Sequence, residues 1–410
     1  MKIRWLPPGA SPDAAVLLGT RATRAFGDGL VSVILAAYLT GLGFSEARIG
    51  VIVTGTLLGS ATVTLWVGLR AHAIARRQLL RVVSLLLACT GIGFAAFTDF
   101  WPLLIVGVVG TLNPSGGDVS VFLPTEQALL PQTVPDAQRT AMFARYSLLG
   151  LLVGAIGALC AGVPEWISRQ IGVASTTAYR GAFVIYGLLG LVVLVQYRRL
   201  SPAIEPLVDP GRKPLEESKS IVYRLAALFS LDSLGGGFVI TALVVVWLHN
   251  RFGLSTAVTG AVFFWTGICS AFSGLLAVKI AQRIGLVRTM VFTHLPANGL
   301  LMVTAFMPNA PLAIACLLAR STLSQMDVPA RTSYVMAVVT PAERPAAASV
   351  TNVPRSLASA IPPIAAGWML SRSNFGWPLL IGGALKAVYD LLLLWQFRNV
   401  RPPEEHESVN

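Results

Sequence analysis

Apolar stretches long enough to cross a lipid bilayer recur along the whole chain. A membrane-spanning helix needs about 20 consecutive apolar residues, and about twelve such stretches follow one another here. Of the 410 residues, 54% are hydrophobic and 12% are charged, whereas soluble domains carry about 25% charged residues. The sequence therefore predicts an all-α membrane protein with twelve transmembrane helices. The expected spans are 14–42, 49–69, 79–97, 101–130, 141–163, 181–197, 222–248, 257–280, 287–307, 311–339, 346–370 and 377–395.

Basic residues gather in alternate loops between these stretches. One set of loops is rich in arginine and lysine and includes Arg76, Arg77 and Lys213, whereas the other set holds few, among them Arg169 and Arg372. Loops rich in Lys and Arg stay on the cytoplasmic side. We therefore expect both termini in the cytoplasm and the chain in the bilayer of the plasma membrane, in bacteria the inner membrane. This topology accounts for the net charge of +12, and no nucleic-acid partner is expected.

Two stretches contain residues that do not suit a continuous helix in lipid. Asn113–Asp118, with the sequence NPSGGD, interrupts the fourth stretch, and Gln325–Pro329, with the sequence QMDVP, interrupts the tenth. Freed backbone groups find no water in the hydrocarbon core, so such segments must be buried in protein or line a wet cavity. Interrupted spans also mark the binding region of transporters. We expect the two segments to mark a cavity between two similar halves.

The second half of the chain repeats the first at an offset of about 210 residues. At this offset Arg145 meets Arg355, and Asp118 falls within one position of Asp327. Six spans return the chain to its starting side, so the two halves run parallel, which is one known transporter plan. The predicted domains are an N-terminal six-helix domain at 1–199, a proline-containing cytoplasmic linker at 200–220, a C-terminal six-helix domain at 221–400 and a cytoplasmic tail at 401–410.

The loop between the second and third stretches carries a family resemblance. It resembles the signature G-x-L-A-D-R-x-G-R-K-x-x-L of the major facilitator superfamily at Gly68, Ala71, Arg76, Arg77 and Leu80. It differs at the acidic position, which is His72, and at the second glycine, which is Ala75. With the spans, the repeat and the linker, the whole chain resembles a twelve-helix transporter of that superfamily. The resemblance implies a cytoplasmic gate loop that contains Gly68, His72, Arg76 and Arg77.

A glycine motif in the fifth stretch is similar to a motif of antiporters in that superfamily. It consists of Gly150, Gly154 and Gly157, without the proline that accompanies it in antiporters. The resemblance implies export rather than uptake.

Ionisable residues inside the stretches are the candidate functional residues, because a charge at the bilayer centre costs at least about 2.5–3.5 kcal/mol. Spacing of four residues along a helix predicts three ion pairs: Arg24 with Asp28, Asp327 with Arg331, and Lys386 with Asp390. A carboxylate in a low-dielectric cavity can exchange a proton near neutral pH. The candidates for proton coupling are Asp118, Asp28 and Asp232. The candidates for the substrate cavity are Asn113, Arg145, Arg320, Gln325, Asp327 and Arg355.

The function that these observations favour is secondary active transport of a small organic solute by alternating access, coupled to protons and directed outward. One alternative is proton-coupled uptake of an anionic or zwitterionic metabolite, which the arginines would suit. More remote alternatives are an intramembrane enzyme, for which the sequence lacks an HExxH or rhomboid-like serine motif, and a receptor that does not transport. No Walker A motif for ATP binding is found. We expect a monomer that is not an enzyme and needs no metal or cofactor.

Overall fold

A computed structural model describes residues 6–70, 75–115, 121–135, 138–205, 215–340 and 343–397. Within these ranges the regular secondary structure is helical, and no β-strand is present. The chain divides into two compact units, the first comprising Met1–Asp209 with Ser255–Phe264 and the second comprising Pro210–Leu254 with Trp265–Asn410. The expected all-α architecture is therefore confirmed.

Seventeen α-helices lie in the described part of the chain. Up to residue 198 they are α1 (Pro12–Gly41), α2 (Glu46–Arg70), α3 (Arg76–Ala96), α4 (Phe100–Val109), α5 (Phe122–Leu129), α6 (Arg139–Leu159), α7 (Val163–Ile171) and α8 (Ser175–Arg198). From residue 219 they are α9 (Lys219–Gly237), α10 (Thr241–Phe252), α11 (Thr256–Ile284), α12 (Leu286–Thr304), α13 (Ala310–Ser321), α14 (Asp327–Ala337), α15 (Arg344–Ala360), α16 (Pro362–Arg372) and α17 (Trp377–Phe397). Short 3₁₀ turns cover Leu130–Thr133, Cys160–Gly162 and Pro202–Ile204.

Nine helical segments of the described chain are long and apolar enough to cross a membrane. They are Pro12–Gly41, Glu46–Val67, Arg76–Ala96, Arg139–Ile171, Ser175–Arg198, Lys219–Phe252, Thr256–Ile284, Leu286–Thr304 and Trp377–Phe397. The fourth, tenth and eleventh expected spans are each divided into two shorter helices, α4 with α5, α13 with α14, and α15 with α16. This order is consistent with the twelve spans predicted from the sequence.

The two predicted interruptions coincide with breaks in the helices. In the fourth span α4 ends at Val109, residues 110–115 are not helical, and α5 begins at Phe122. Asn113 stabilises the break locally, because its side-chain oxygen accepts hydrogen bonds from the Ser115 backbone N–H at 3.2 Å and hydroxyl at 2.7 Å. Such bonds offer the backbone an alternative to the helical ladder.

In the tenth span α13 ends at Ser321 and α14 begins at Asp327. The second break therefore lies slightly earlier than the predicted segment. Pro329 falls in the first turn of α14, where its missing N–H removes no helical hydrogen bond.

The glycine motif of the fifth span packs α6 against α1 in the first unit. A Cβ atom added to Gly157 would lie 2.0 Å from the Phe26 carbonyl oxygen, and one added to Gly29 would lie 2.0 Å from the Gly154 carbonyl oxygen. Small residues let membrane helices approach closely. These glycines therefore have a packing role that does not depend on the direction of transport.

Candidate functional site

The second unit contains a buried cluster of ionisable side chains, centred on Asp232 of α9. Its Oδ1 atom accepts a hydrogen bond from Lys386 Nζ of α17 at 2.7 Å, and its Oδ2 atom accepts one from Arg331 Nη1 of α14 at 3.3 Å. Asp232, Arg331 and Lys386 are all buried. Gly235 makes this contact between α9 and α17 possible, because a Cβ atom there would lie 2.8 Å from Lys386 Cγ. Asp232 is thus the carboxylate that two buried cations share.

The ion pair between Asp327 and Arg331 that helical spacing predicts is present in α14. The predicted pair between Lys386 and Asp390 is wrong, because Lys386 bonds Asp232 instead. Asp390 accepts hydrogen bonds from His294 and Asn298, two side chains of α12. Helical spacing places Lys386 and Asp390 on one face, but nearer partners on neighbouring helices take up both side chains.

His294 and Asn298 of α12 complete the cluster. His294 Nδ1 lies 2.9 Å from Asp390 Oδ1, and Asn298 Nδ2 donates to Asp390 Oδ2 at 2.8 Å. The other ring nitrogen of His294 lies 3.8 Å from Asp232 Oδ1. His294 therefore connects Asp390 to the carboxylate that Lys386 and Arg331 share. The two ring nitrogens give this side chain two alternative hydrogen-bonding states and a third, cationic one.

Three cavity candidates border this cluster. Arg355 of α15 donates to Ser233 Oγ at 3.2 Å and to Asn352 Oδ1 at 3.3 Å. Arg320 stands in the last turn of α13, and its Nε atom is buried without a hydrogen-bond partner among the described residues. Both guanidinium groups interact electrostatically with Asp232 and Asp327. Gln325 lies half-buried in the break between α13 and α14.

The first unit contains a different buried hub, Glu126 of α5. Its carboxylate accepts hydrogen bonds from the Thr20 and Tyr197 hydroxyls, each at 2.6 Å. Tyr146 and Arg24 also donate to it, and the Arg24 side chain lies over the Phe122 ring with 4.4 Å between its Cζ atom and the ring centroid. Glu126 is fully buried. Four donors from three neighbouring helices therefore converge on one carboxylate.

Asp28 and Asn113 meet beside the break of the fourth span. Asn113 Nδ2 donates to Asp28 Oδ2 at 3.4 Å, and the Tyr186 hydroxyl donates to Asp28 Oδ1 at 3.2 Å. The pair of Arg24 with Asp28 stays a prediction, since the ion pair that the structure shows for Arg24 is with Glu126. Asp118 lies outside the described residues. Arg145 of α6 is half-buried, and its Nη1 atom has no hydrogen-bond partner in the described part of the chain.

The predicted gate loop is described only in part. Gly68 belongs to α2 and His72 lies outside the described residues, whereas Arg76 and Arg77 begin α3. Their backbone N–H groups donate to the Glu205 carboxylate at 3.0 and 2.8 Å. An acidic side chain at a helix N-terminus is favourable because it accepts from otherwise unpaired N–H groups and meets the positive end of the helix dipole.

Glu343, just before α15, makes a similar contact in the second unit. It accepts from the Glu216 backbone N–H at 2.6 Å, from that of Glu217 at 2.9 Å and from that of Ser218 at 3.0 Å. These bonds, of which the one from Glu216 matters most, lower the pKa of Glu343 to about 2. The ionised carboxylate holds together the end of the predicted linker and the loop before α15.

The buried ion pairs of the two units have opposite polarity. In the first unit the cation Arg24 is on α1 and the acid Glu126 on α5, the second part of the interrupted fourth span. In the second unit the acid Asp232 is on α9 and the cation Arg331 on α14, the second part of the interrupted tenth span. Arg24 and Asp232 are 208 positions apart, close to the repeat offset. Each half therefore has a buried ion pair between its first helix and the second part of its interrupted span, but the acid and the base have changed places.

Sequence reasoning did not single out several members of these clusters. Those missed are Tyr146, Tyr197, His294 and Asn298, and Glu126 was not proposed as a site residue. One signal was available, because His294 and Asn298 are four residues apart on one helical face. The tyrosines gave none, since a tyrosine in an apolar span usually packs or anchors at the interface.

Comparison with known proteins agrees with this fold. A family model for the Major Facilitator Superfamily matches residues 17–319 and 225–410. The chain therefore belongs to the Major Facilitator Superfamily, as the sequence predicted. Membership points to a transporter of the membrane rather than an enzyme.

Individual relatives are distant. An uncharacterized membrane protein of Saccharomyces cerevisiae, YJR124C, is 25% identical over 427 aligned residues, which cover 95% of both chains. The crystal structure of a bacterial homolog of the human lysosomal transporter Spinster, inward-facing and unoccupied, has a TM-score of 0.72 at 14% identity over 95% of this chain and 97% of that chain. A D-xylose–proton symporter has a TM-score of 0.71 at 14% identity over 94% of this chain and 97% of that chain. The two structures show a shared fold.

Proposed function

We propose that this chain is a secondary active transporter that exports a small organic solute by alternating access and is driven by protons. It would lie in the plasma membrane with both termini in the cytoplasm. The observation that carries the proposal is the buried cluster around Asp232, with three carboxylates, a histidine and their cationic partners inside membrane-spanning helices. Ionisable side chains at such depth are costly and usually mark a substrate or proton pathway.

The pair of His294 and Asp390 is the best-placed group for proton coupling. Among the described residues, no lysine or arginine forms an ion pair with Asp390, whereas Asp232 is held between Lys386 and Arg331. A proton that enters or leaves the His294–Asp390 pair changes its charge without separating a fixed ion pair. Histidine is also the side chain whose ordinary pKa lies nearest to physiological pH.

Flux measurements in liposomes test this assignment. Asp390→Asn should abolish accumulation of solute against its gradient under an imposed pH gradient, while exchange of labelled solute at equal pH continues. The solute is one selected by thermal-shift screening, since a bound ligand stabilises the folded protein by mass action. Asp99→Asn, an exposed aspartate at the start of α4, is the matched control and should behave like the unchanged protein.

The same assay separates the alternatives. If Asp390→Asn accumulates solute normally while Asp28→Asn or Asp118→Asn does not, the coupling carboxylate lies in the first half. If none of these variants, nor Asp232→Asn, loses accumulation, proton coupling is refuted. If the solute moves in the same direction as the protons, the protein takes up its solute rather than exporting it. A complete lack of exchange in the unchanged protein would favour a receptor.

A further inference from the structure

We infer that the cargo of this transporter is an organic anion whose carboxylate binds at the charged cluster of the second unit, where Arg320 and Arg355 attract it, an inference that rests on the proposed transport function. Notably, the two arginines differ from the other cations of the cluster. Lys386 and Arg331 are buried and ion-paired, whereas the side chains of Arg320 and Arg355 are half-buried and form no ion pair with any described carboxylate.

The cluster carries more positive than negative charge. Its carboxylates are Asp232, Asp327 and Asp390, and its cations are Lys386, Arg331, Arg320 and Arg355. Three negative and four positive groups leave a net charge of +1 while His294 is neutral and of +2 when it is protonated. An uncompensated charge is unfavourable when it is withdrawn from water. An anionic cargo would neutralise it, and protonation of His294 would increase the attraction.

The hydrogen-bonding capacity of the two guanidinium groups is largely unused. A guanidinium has five N–H donors in a fork that matches a carboxylate. Arg355 uses two contacts, both with the neutral side chains Ser233 and Asn352, and Arg320 Nε has no partner in the described chain. Neutral contacts orient Arg355 without consuming its charge. Asp232 and Asp327 do not compete for these donors at bonding distance, because Lys386 and Arg331 occupy them.

A polar stripe on α15 runs along the side of the helix from which Arg355 reaches α9. Asn352, Arg355, Ser356 and Ser359 follow the spacing i, i+3, i+4 and i+7, which places them on one face. The Ser356 hydroxyl bonds to the Asn352 carbonyl oxygen at 3.2 Å and the Ser359 hydroxyl to that of Ser356 at 2.9 Å, within α15 itself. The two serine hydroxyls therefore bond within α15, and the half-buried Arg355 lies between Ser233 of α9 and the exposed Asn352.

The charges also favour an anion over a zwitterion. A zwitterionic cargo also needs acceptors for its ammonium group, and carboxylates are the strongest of these. Asp232 and Asp327 already bond buried cations, and Asp390 accepts from His294 and Asn298. Among the buried polar atoms of the cluster that have no hydrogen-bond partner in the described chain, Arg320 Nε, Arg331 Nε and the Tyr389 hydroxyl can donate, whereas Asn298 Oδ1 can only accept. Unused donors therefore outnumber unused acceptors, which suits an anion.

Equilibrium binding to the purified full chain tests the inference without any proton gradient. The probes are acetate, lactate, benzoate and nicotinate, each paired with its neutral amide. At least one carboxylate should bind and raise the melting temperature, while its amide does not. Arg355→Gln and Arg320→Gln should each lower the affinity for that carboxylate by about 10- to 150-fold, which is the range for a hydrogen bond to a charged group. Arg355→Lys keeps the positive charge but loses the forked geometry of the guanidinium group. Its affinity for the carboxylate should therefore lie between those of the unchanged protein and Arg355→Gln.

Arg372→Gln, at an exposed arginine that ends α16, is the matched control and should bind like the unchanged protein. Both site variants should fold, because each removes a cation that is no carboxylate's ion-pair partner. Equal binding of an amide and its carboxylate, absence of binding by every carboxylate, or unchanged affinity in both site variants would each overturn the inference. Binding that follows the arginines, together with unaltered accumulation in every coupling variant, would instead refute the proton-driven mechanism alone.

Discussion

Asp232→Asn should be the most destabilising single replacement of a carboxylate in the second unit. Asparagine keeps the volume and removes the charge, so Lys386 loses the carboxylate at 2.7 Å from its Nζ atom. Arg331 keeps its ion pair with Asp327. Removing one partner of a buried ion pair costs about 3–5 kcal/mol, because the remaining charge stays buried without compensation.

Asp327→Asn should cost less, although Asp327 is equally buried. After this change Arg331 still contacts Asp232, at 3.3 Å. The loss is then one hydrogen bond between charged groups, about 1.5–3 kcal/mol. The expected order of stability is the unchanged protein, then Asp327→Asn, then Asp232→Asn.

A second change should restore most of the loss in Asp232→Asn. Lys386→Met replaces the buried amine by an apolar side chain of similar length, so the double variant contains neither charge. Replacing a buried ion pair by apolar groups is often close to neutral. The two changes should therefore be strongly non-additive, with a coupling energy of about 3 kcal/mol or more, at or above the upper end of the range for residues in direct contact.

Melting of the detergent-purified protein measures these differences. For domains of 150–250 residues, 1 kcal/mol corresponds to about 2–4 °C, so Asp232→Asn should melt about 6–20 °C below the unchanged protein. Asp99→Asn serves as the control for a lost exposed carboxylate. The reasoning fails if Asp327→Asn melts below Asp232→Asn, or if adding Lys386→Met brings no recovery.

Two further predictions concern residues at or near the ends of the helices. Because the pKa of Glu343 falls from its ordinary 4.5 to about 2 on folding, its ionised form stabilises the protein above about pH 4.5, and this contribution disappears as the pH falls towards 2. Glu343→Gln should therefore melt below the unchanged protein at pH 7, and the difference should narrow at pH 3; a constant difference would contradict the assignment. In intact cells, an impermeant thiol reagent should label a cysteine placed at Arg372 and miss one placed at Lys219, both exposed positions; the reverse pattern would invert the proposed orientation.

The length and breaks of the spans could be predicted from the sequence because they depend on local chemistry. Twenty apolar residues are enough to cross a bilayer whatever their neighbours. Asn113, Pro114 and Pro329 act on their own backbone, so the interruptions of the fourth and tenth spans could be placed within a few residues.

The partners of the buried charges could be predicted only within one helix. Spacing of four residues found Asp327 with Arg331 but assigned Lys386 to Asp390, since it carries no information about the neighbouring helix. Lys386 reaches Asp232 because Gly235 lets α9 and α17 approach, a contact between residues 154 positions apart. The role of Glu126 could not be predicted for the same reason, since its donors come from three other helices.

The exchanged polarity of the two buried ion pairs bears on how the chain assembles. Two halves built on one plan offer each helix a counterpart of similar shape in the wrong half. If α1 packed against α14, Arg24 would meet Arg331, and if α9 packed against α5, Asp232 would meet Glu126. Two like charges 4 Å apart repel by about 4 kcal/mol at an effective dielectric constant of 20. In either mispairing a buried charge would exchange its counter-charge for a like charge, so the exchanged polarity favours packing of each helix within its own half.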